Sequence, residues 1–276
     1  MRRHNYGVFM KRHIFLISDG TGITVGSLGQ SLLSQFEGVD FAITNLPYIN
    51  SESKAQIAVD KMECAYIDTG VPPIAFTTIV DEDLLQIIQN SHALVLDFIQ
   101  TFIGPLEQAL GMKSSHTIGK SHGVKDYETY KRRIDALNFS LNTDDGSGTT
   151  QYEKADVILV GVSRSGKTPT SLYLALHQSL FVSNYPITEE DLENFTLPKA
   201  LQPYKNKIFG LTIDVDRLMA IREERKSNSR YASRKQCEFE VKAVEKLYRQ
   251  YNIPFLDSTY LSIEELATKI SSKLKE

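Results

Sequence analysis

Apolar positions along this chain switch between two spacings, and the switching predicts the architecture. Short apolar runs at residues 13–17, 41–47, 74–80 and 93–97 have strand length and lead into turn residues such as Asp19-Gly20. Segment 24–36 instead places Val25, Leu28, Leu32, Leu33 and Phe36 at helical spacing, Ser51 is positioned to cap a helix running to about residue 66, and 83–89 reads as a third helix. Pro105 starts a further helix that reaches Leu110. The pattern breaks from about 113 to 153, where a polar, glycine-bearing stretch is followed by one helix at 127–141 and a loop at 142–150. It resumes with strands at 156–160, 181–186, 208–213 and 253–257, and with helices at 167–180, 217–225, 237–251 and 262–274.

Strands alternating with helices over short connections predict parallel sheets covered by helices. The expected fold class is therefore α/β. The expected organisation is a basic arm at 1–11, an N-terminal parallel-sheet domain at 12–112, a linker with one helix at 113–153, and a P-loop kinase-like domain at 154–276.

Composition narrows the function classes. Hydrophobic residues make up 41% and charged residues 24% of 276 residues, enough for real cores, and the net charge of -3 lacks the basic excess of a nucleic-acid binder. No apolar run approaches the roughly 18 residues of a membrane-spanning helix, so no membrane partner is expected. The basic N-terminus is not followed by a long apolar segment, so a secretory signal is not expected and the chain is placed in the cytoplasm. Cys64 and Cys237 are read as reduced, structural residues.

The chemistry concentrates in Gly161-Val-Ser-Arg-Ser-Gly-Lys-Thr168, a full match to G-x-x-x-x-G-K-[ST]. A phosphate cradle needs consecutive backbone N–H groups curled around an anion, and Gly161 and Gly166 permit that curl around Val162, Ser163, Arg164 and Ser165. The helix beginning at Lys167 directs its N-terminus at the anion. Lys167 is expected to neutralise the terminal phosphate, and the Thr168 hydroxyl to bind Mg2+. Pro169 lies in the first helical turn, where a missing N–H is tolerated.

Phosphoryl transfer also calls for a carboxylate at the end of a neighbouring strand. Asp214, at the end of the run 208–213, is the first candidate and Asp216 the second; either could instead cap the helix that follows. Arg217, Arg222, Arg225, Arg230 and Arg234 form either a segment that closes over a nucleotide or a solvated charged face, since Glu223 and Glu224 are interleaved. Asp144 and Asp145 read as turn signals. Asp19-Gly-Thr-Gly-Ile-Thr-Val-Gly26 is off the dinucleotide-binding pattern and reads as a structural turn.

The run from Gly161 to Ala175 resembles the signature of the regulatory proteins of phosphoenolpyruvate synthase and of pyruvate, phosphate dikinase. So do Ile17-Ser-Asp-Gly-Thr-Gly-Ile-Thr24, Ser121-His-Gly123, Phe209-Gly-Leu-Thr-Ile-Asp214, and Ile221-Arg-Glu-Glu-Arg with Asn228-Ser-Arg-Tyr-Ala-Ser233. The form Gly166-Lys167-Thr-Pro-Thr is similar to the synthase-type branch.

The resemblance implies ADP-dependent phosphorylation of a threonine beside the catalytic histidine of phosphoenolpyruvate synthase. It also implies removal of that phosphate with inorganic phosphate as acceptor and pyrophosphate as product, and a homodimer. It favours Arg222 and Arg230 as catalytic, and leaves His122 either touching the target or merely exposed. An ATP-dependent kinase of a small metabolite and a non-catalytic nucleotide sensor remain the alternatives, because loop, Asp214 and arginines would look the same in them.

Overall fold

The structure is a computed structural model that describes residues 11–115, 127–193 and 196–274. His122 and most of the N-terminal arm lie outside the described residues. The chain divides into two compact units, 1–123 and 124–276.

The first unit runs β1 (Arg12–Ile17), α1 (Ile23–Leu33), β2 (Phe41–Leu46), α2 (Glu52–Thr69), β3 (Ile74–Thr77), α3 (Glu82–Gln89), β4 (Leu94–Asp97) and α4 (Phe98–Leu110). Its four strands are parallel in the order β2-β1-β3-β4. Strand alternation sends Phe15 and Ile17 to one face, under α2 and α3, where Ala55, Ala58, Met62, Leu84 and Ile88 are buried. Ile14 and Leu16 point to the other face, against Val25 and Leu33 of α1. The turn after β1 is fastened by its own side chains: the Ser18 hydroxyl accepts from the Gly20 N–H and from the Thr78 hydroxyl, and the Asp19 carboxylate accepts from the Val80 N–H. That fastening also ends β3 at Thr77, three residues before the apolar run stops.

One helix starts earlier than its proline suggests. Helix α4 begins directly after β4, capped by the Asp97 carboxylate on the Gln100 N–H, and Pro105 lies inside it. The proline removes the bond to the carbonyl four residues back, that of Thr101, and Thr101 is exposed, so that carbonyl is not stranded in a core. Cys64 is exposed on α2, so of the two thiols only Cys237 is a core residue.

The second unit runs α5 (Tyr127–Asn142), β5 (Val157–Gly161), α6 (Lys167–Gln178), β6 (Val182–Pro186), α7 (Glu189–Glu193), β7 (Ile208–Thr212), α8 (Val215–Arg225), α9 (Arg234–Tyr251), β8 (Phe255–Asp257) and α10 (Ile263–Leu274), with short 3-10 segments in some of the connections. Helix α5 contributes Phe139 to this unit's core. The strands are again parallel, in the order β6-β5-β7-β8. Every residue of β5 is buried, as expected for a central strand covered on both faces. Val157 and Leu159 pack with α6 and α10, through Leu174, Leu266 and Ile270. Ile158 and Val160 pack with α8 and α9, through Leu218, Val244 and Leu247.

This strand order places the site. The connection from β5 leads outward to β6, and the chain then returns across β5 to build β7 and β8. A crevice therefore opens beyond the carboxyl ends of β5 and β7, where open α/β sheets hold ligands. The glycine-rich loop leaves β5 at that crevice.

Candidate functional site

The two loop glycines are needed for different reasons. A Cβ on Gly161 would stand 2.5 Å from the Leu211 carbonyl oxygen of β7 and 2.7 Å from Ser165 Oγ, so the requirement there is close approach of two strands' backbones. Gly166 has open space where a Cβ would go but a φ of +89°, so the requirement is left-handed backbone at the start of α6. Arg164 adopts φ +78° without that excuse, a strained conformation of the kind that collects at functional sites. The loop thus curls and delivers the helix N-terminus to its own concave side.

Lys167 is buried, 4% exposed, and its Nζ donates to the Val162 carbonyl at 2.9 Å. Burial pulls its pKa down to about 8, against the opposing pull of Asp145 and Asp144. An ammonium so poorly solvated is ready to exchange a backbone carbonyl for a phosphate oxygen.

The carboxylates at this loop are Asp144 and Asp145. The Thr168 hydroxyl donates to Asp144 Oδ1 at 2.9 Å. Asn184, fully buried in β6, donates its side-chain N–H to the same Asp144 oxygen and accepts the Asp145 N–H at 2.8 Å. Asp145 is held with φ +50° and lines the cleft together with Ser163, Arg164, Lys167, Thr168 and Arg225. A single buried amide therefore fixes both aspartates against the phosphate loop. The pair sits in a short 3-10 turn, residues 144–146, as its turn chemistry predicts; its place beside the phosphate loop is what local sequence does not show. The one clue to them was indirect: a P-loop threonine wants a carboxylate partner, and local spacing cannot say which.

Magnesium beside a phosphate takes one or two protein carboxylates and leaves its remaining positions to phosphate oxygens and water. Thr168 Oγ1 and the Asp144–Asp145 pair are a donor set of that size. Among the described residues no cluster of three or more His, Cys, Asp or Glu forms a metal cage.

Asp214 stands elsewhere. It is exposed, its carboxylate accepts from the Asp216 and Arg217 N–H groups as the cap of α8, and it is not among the residues lining the phosphate cleft. Arg222 is fully buried beneath the loop. It donates to Glu240 at 2.6 Å, to the Ser163 carbonyl at 3.1 Å and to the Tyr231 carbonyl at 3.0 Å, with the Tyr231 ring against its guanidinium. Tyr231 also bonds Ser163 Oγ through its hydroxyl at 2.9 Å. Arg230 is exposed and pairs with Glu189. The arginine of this segment that reaches the cleft is Arg225.

A family model described as kinase/pyrophosphorylase matches residues 14–271. A protein of Alcanivorax borkumensis is 51% identical over 261 residues, covering 95% of this chain and 96% of its own. One of Pseudomonas aeruginosa is 53% identical over the same length, covering 95% of each chain. One of Legionella pneumophila is 50% identical, covering 95% of this chain and 96% of its own. All three carry the name "putative phosphoenolpyruvate synthase regulatory protein". No described helix is long and apolar enough to cross a membrane. With both units spanned by that match, the chain belongs to the kinase/pyrophosphorylase family.

Proposed function

We propose that this protein switches phosphoenolpyruvate synthase off and on by moving one phosphoryl group through the cleft at Lys167. In the inactivating direction the β-phosphoryl of ADP passes to a threonine hydroxyl of the synthase. The P–O bond to the α-phosphate breaks, AMP leaves, and the hydroxyl proton is taken up. In the activating direction inorganic phosphate attacks the phosphothreonine phosphorus, the threonine hydroxyl is restored and pyrophosphate leaves.

One cradle serves both directions, because each has a phosphoryl group between two oxygens and neither uses water. The amides of residues 163–168 and the Lys167 ammonium hold the equatorial charge. Thr168 and Asp144 would hold Mg2+, which supplies charge neutralisation when bound. Asp145 takes the threonine proton, since it is the carboxylate in the cleft. Arg225 is placed to meet charge that develops there, whereas Arg222 holds the Ser163 carbonyl from below and so positions the loop. The reading places the protein in the cytoplasm with its target, as a homodimer.

The observation that supports this most is the joining of Lys167, Thr168 and Asp145 in one cleft, with Asp144 bonded to Thr168, in a kinase/pyrophosphorylase chain. The test is to incubate the protein with ADP and the histidine-phosphorylated synthase, and to examine the synthase's active-site peptide by mass spectrometry. One phosphate added on threonine, removed again on addition of phosphate with release of pyrophosphate, is expected. Lys167→Ala should lose both directions. Transfer from ATP to a small metabolite, with the synthase peptide unchanged, would refute the reading.

A further inference from the structure

The phosphate loop has a second cleft on its other side. Arg164, Gly166 and Ile221 line both, so the loop and the middle of α8 form a wall between them. The first cleft carries Asp145, Lys167 and Thr168. The second, toward β8 and α10, has no carboxylate among its described lining residues. We propose that this second cleft is the nucleoside pocket. The base and ribose of the nucleoside diphosphate lie there, and its phosphates cross the loop to the reacting cleft. This rests on the phosphotransfer reading above.

The lining fits a flat heterocycle with polar edges. Ile213, Leu261, Ile263 and Leu266 give apolar surface from the residue after β7, the segment after β8, and α10. Ser258 and Thr170 also line the cleft, and both spend their hydroxyl protons on backbone carbonyls, those of Thr212 and Gly166. Their lone pairs are left to accept from an exocyclic amine or a ribose hydroxyl. Ser165, on the shared loop, has a buried hydroxyl with no hydrogen-bond partner among the described residues. Arg164 and Arg217 supply positive charge where the α-phosphate would cross, and a guanidinium face on which a base can stack.

The division of labour follows from where the carboxylate is. Proton removal and metal binding need Asp145 and its neighbour, so the acceptor threonine enters the first cleft. A pocket without carboxylate or ammonium, but with apolar walls and hydroxyls, suits the part of the donor that does not react. Remote binding of that kind positions the reacting phosphoryl group. Phosphorolysis uses inorganic phosphate and has no nucleoside, so it should not depend on this pocket.

The test fills the pocket. Leu261→Trp and, separately, Arg217→Ala are compared with the unaltered protein in direct binding of ADP and of pyrophosphate, which has the phosphates without the nucleoside. Both are also compared in the two activities. The proposal expects each variant to bind ADP about tenfold or more weakly. Leu261→Trp, which alters only the nucleoside walls, should bind pyrophosphate as the unaltered protein does, whereas Arg217→Ala, which removes charge at the α-phosphate, should bind pyrophosphate more weakly as well. ADP-dependent phosphorylation should show a raised KM for ADP in both variants, with phosphorolysis retained in Leu261→Trp; retained phosphorolysis also shows that this variant is folded.

Parallel loss of both activities with ADP binding intact would mean that the cleft seats the protein target, and would overturn the proposal. So would ADP binding that neither variant changes, or an unaltered protein that binds ADP no better than pyrophosphate. ADP binding that responds to the variants, without any transfer to the synthase, would instead leave the pocket standing and sink the functional reading.

Discussion

Lys167 carries its charge at some cost, because it is almost fully buried and its pKa lies near 8. An anion in the cradle favours the protonated form, so binding above that pH must be accompanied by proton uptake. The terminal phosphate of ADP is already ionised there, with a phosphate pKa of about 6. ADP affinity should therefore be flat up to about pH 8 and then fall, approaching about tenfold per pH unit. Calorimetry from pH 7 to pH 9.5, in buffers of different ionisation enthalpy, checks both the fall and the uptake; affinity independent of pH would mean that Lys167 does not meet the anion. The two candidate bases separate in the same way. Asp145→Asn should lower the rate of threonine phosphorylation about 100-fold or more, the contribution of a positioned base. Asp214→Ala should act mainly on stability, costing about 1 kcal/mol as a lost helix cap. Single-turnover kinetics alongside urea unfolding distinguishes the two, and the reverse assignment would return the base to Asp214.

At the scale of elements, α8 shows what sequence pattern reveals and what it hides. The loop 161–168 was legible because all its chemistry lies in eight consecutive residues whose spacing is fixed by the phosphate they wrap. The strands and most helices were legible because β5 and β7 read as unbroken apolar runs and α9 as an amphipathic stripe. Helix α8 buries two positions, Leu218 and Arg222, one turn apart. An arginine in the buried row does not look like a core residue, and its partner Glu240 lies on another helix. Its burial therefore could not be read locally. The aspartate pair was hidden for the same reason: it acts through Asn184 of β6, a contact made only when the sheet has formed. The strut makes a prediction. Arg222→Ala leaves Glu240 buried without its partner and should cost about 3–5 kcal/mol, whereas Arg222→Met with Glu240→Leu should recover most of that. The double variant still lacks the bond to the Ser163 carbonyl, so its stability should return without its ADP affinity. Urea unfolding and ADP titration on the same samples measure the two separately; affinity that recovers together with stability would show that the strut does not position the loop.

Over the whole molecule, the two units repeat one arrangement with different outcomes. Each has a four-stranded parallel sheet whose second-built strand lies outside the first, which opens a crevice beside the first strand. In the first unit the crevice turn is closed by its own side chains, with Ser18 and Asp19 bonded to Thr78 and Val80. In the second it is lined by a glycine-rich loop, an exposed Asp145 beside a half-buried Asp144 that bonds Thr168, and a lysine held on a single carbonyl. The contrast explains why phosphate chemistry is assigned to residues 124–276 and not to the glycine-bearing turn at 19–26. The most direct measurement is a crystal structure with pyrophosphate bound. The account predicts an anion against the main-chain amides of residues 163–168, with Lys167 Nζ moved from the Val162 carbonyl onto a phosphate oxygen and Asp145 at the cleft mouth. An anion bound elsewhere, with Lys167 still on Val162, would contradict it.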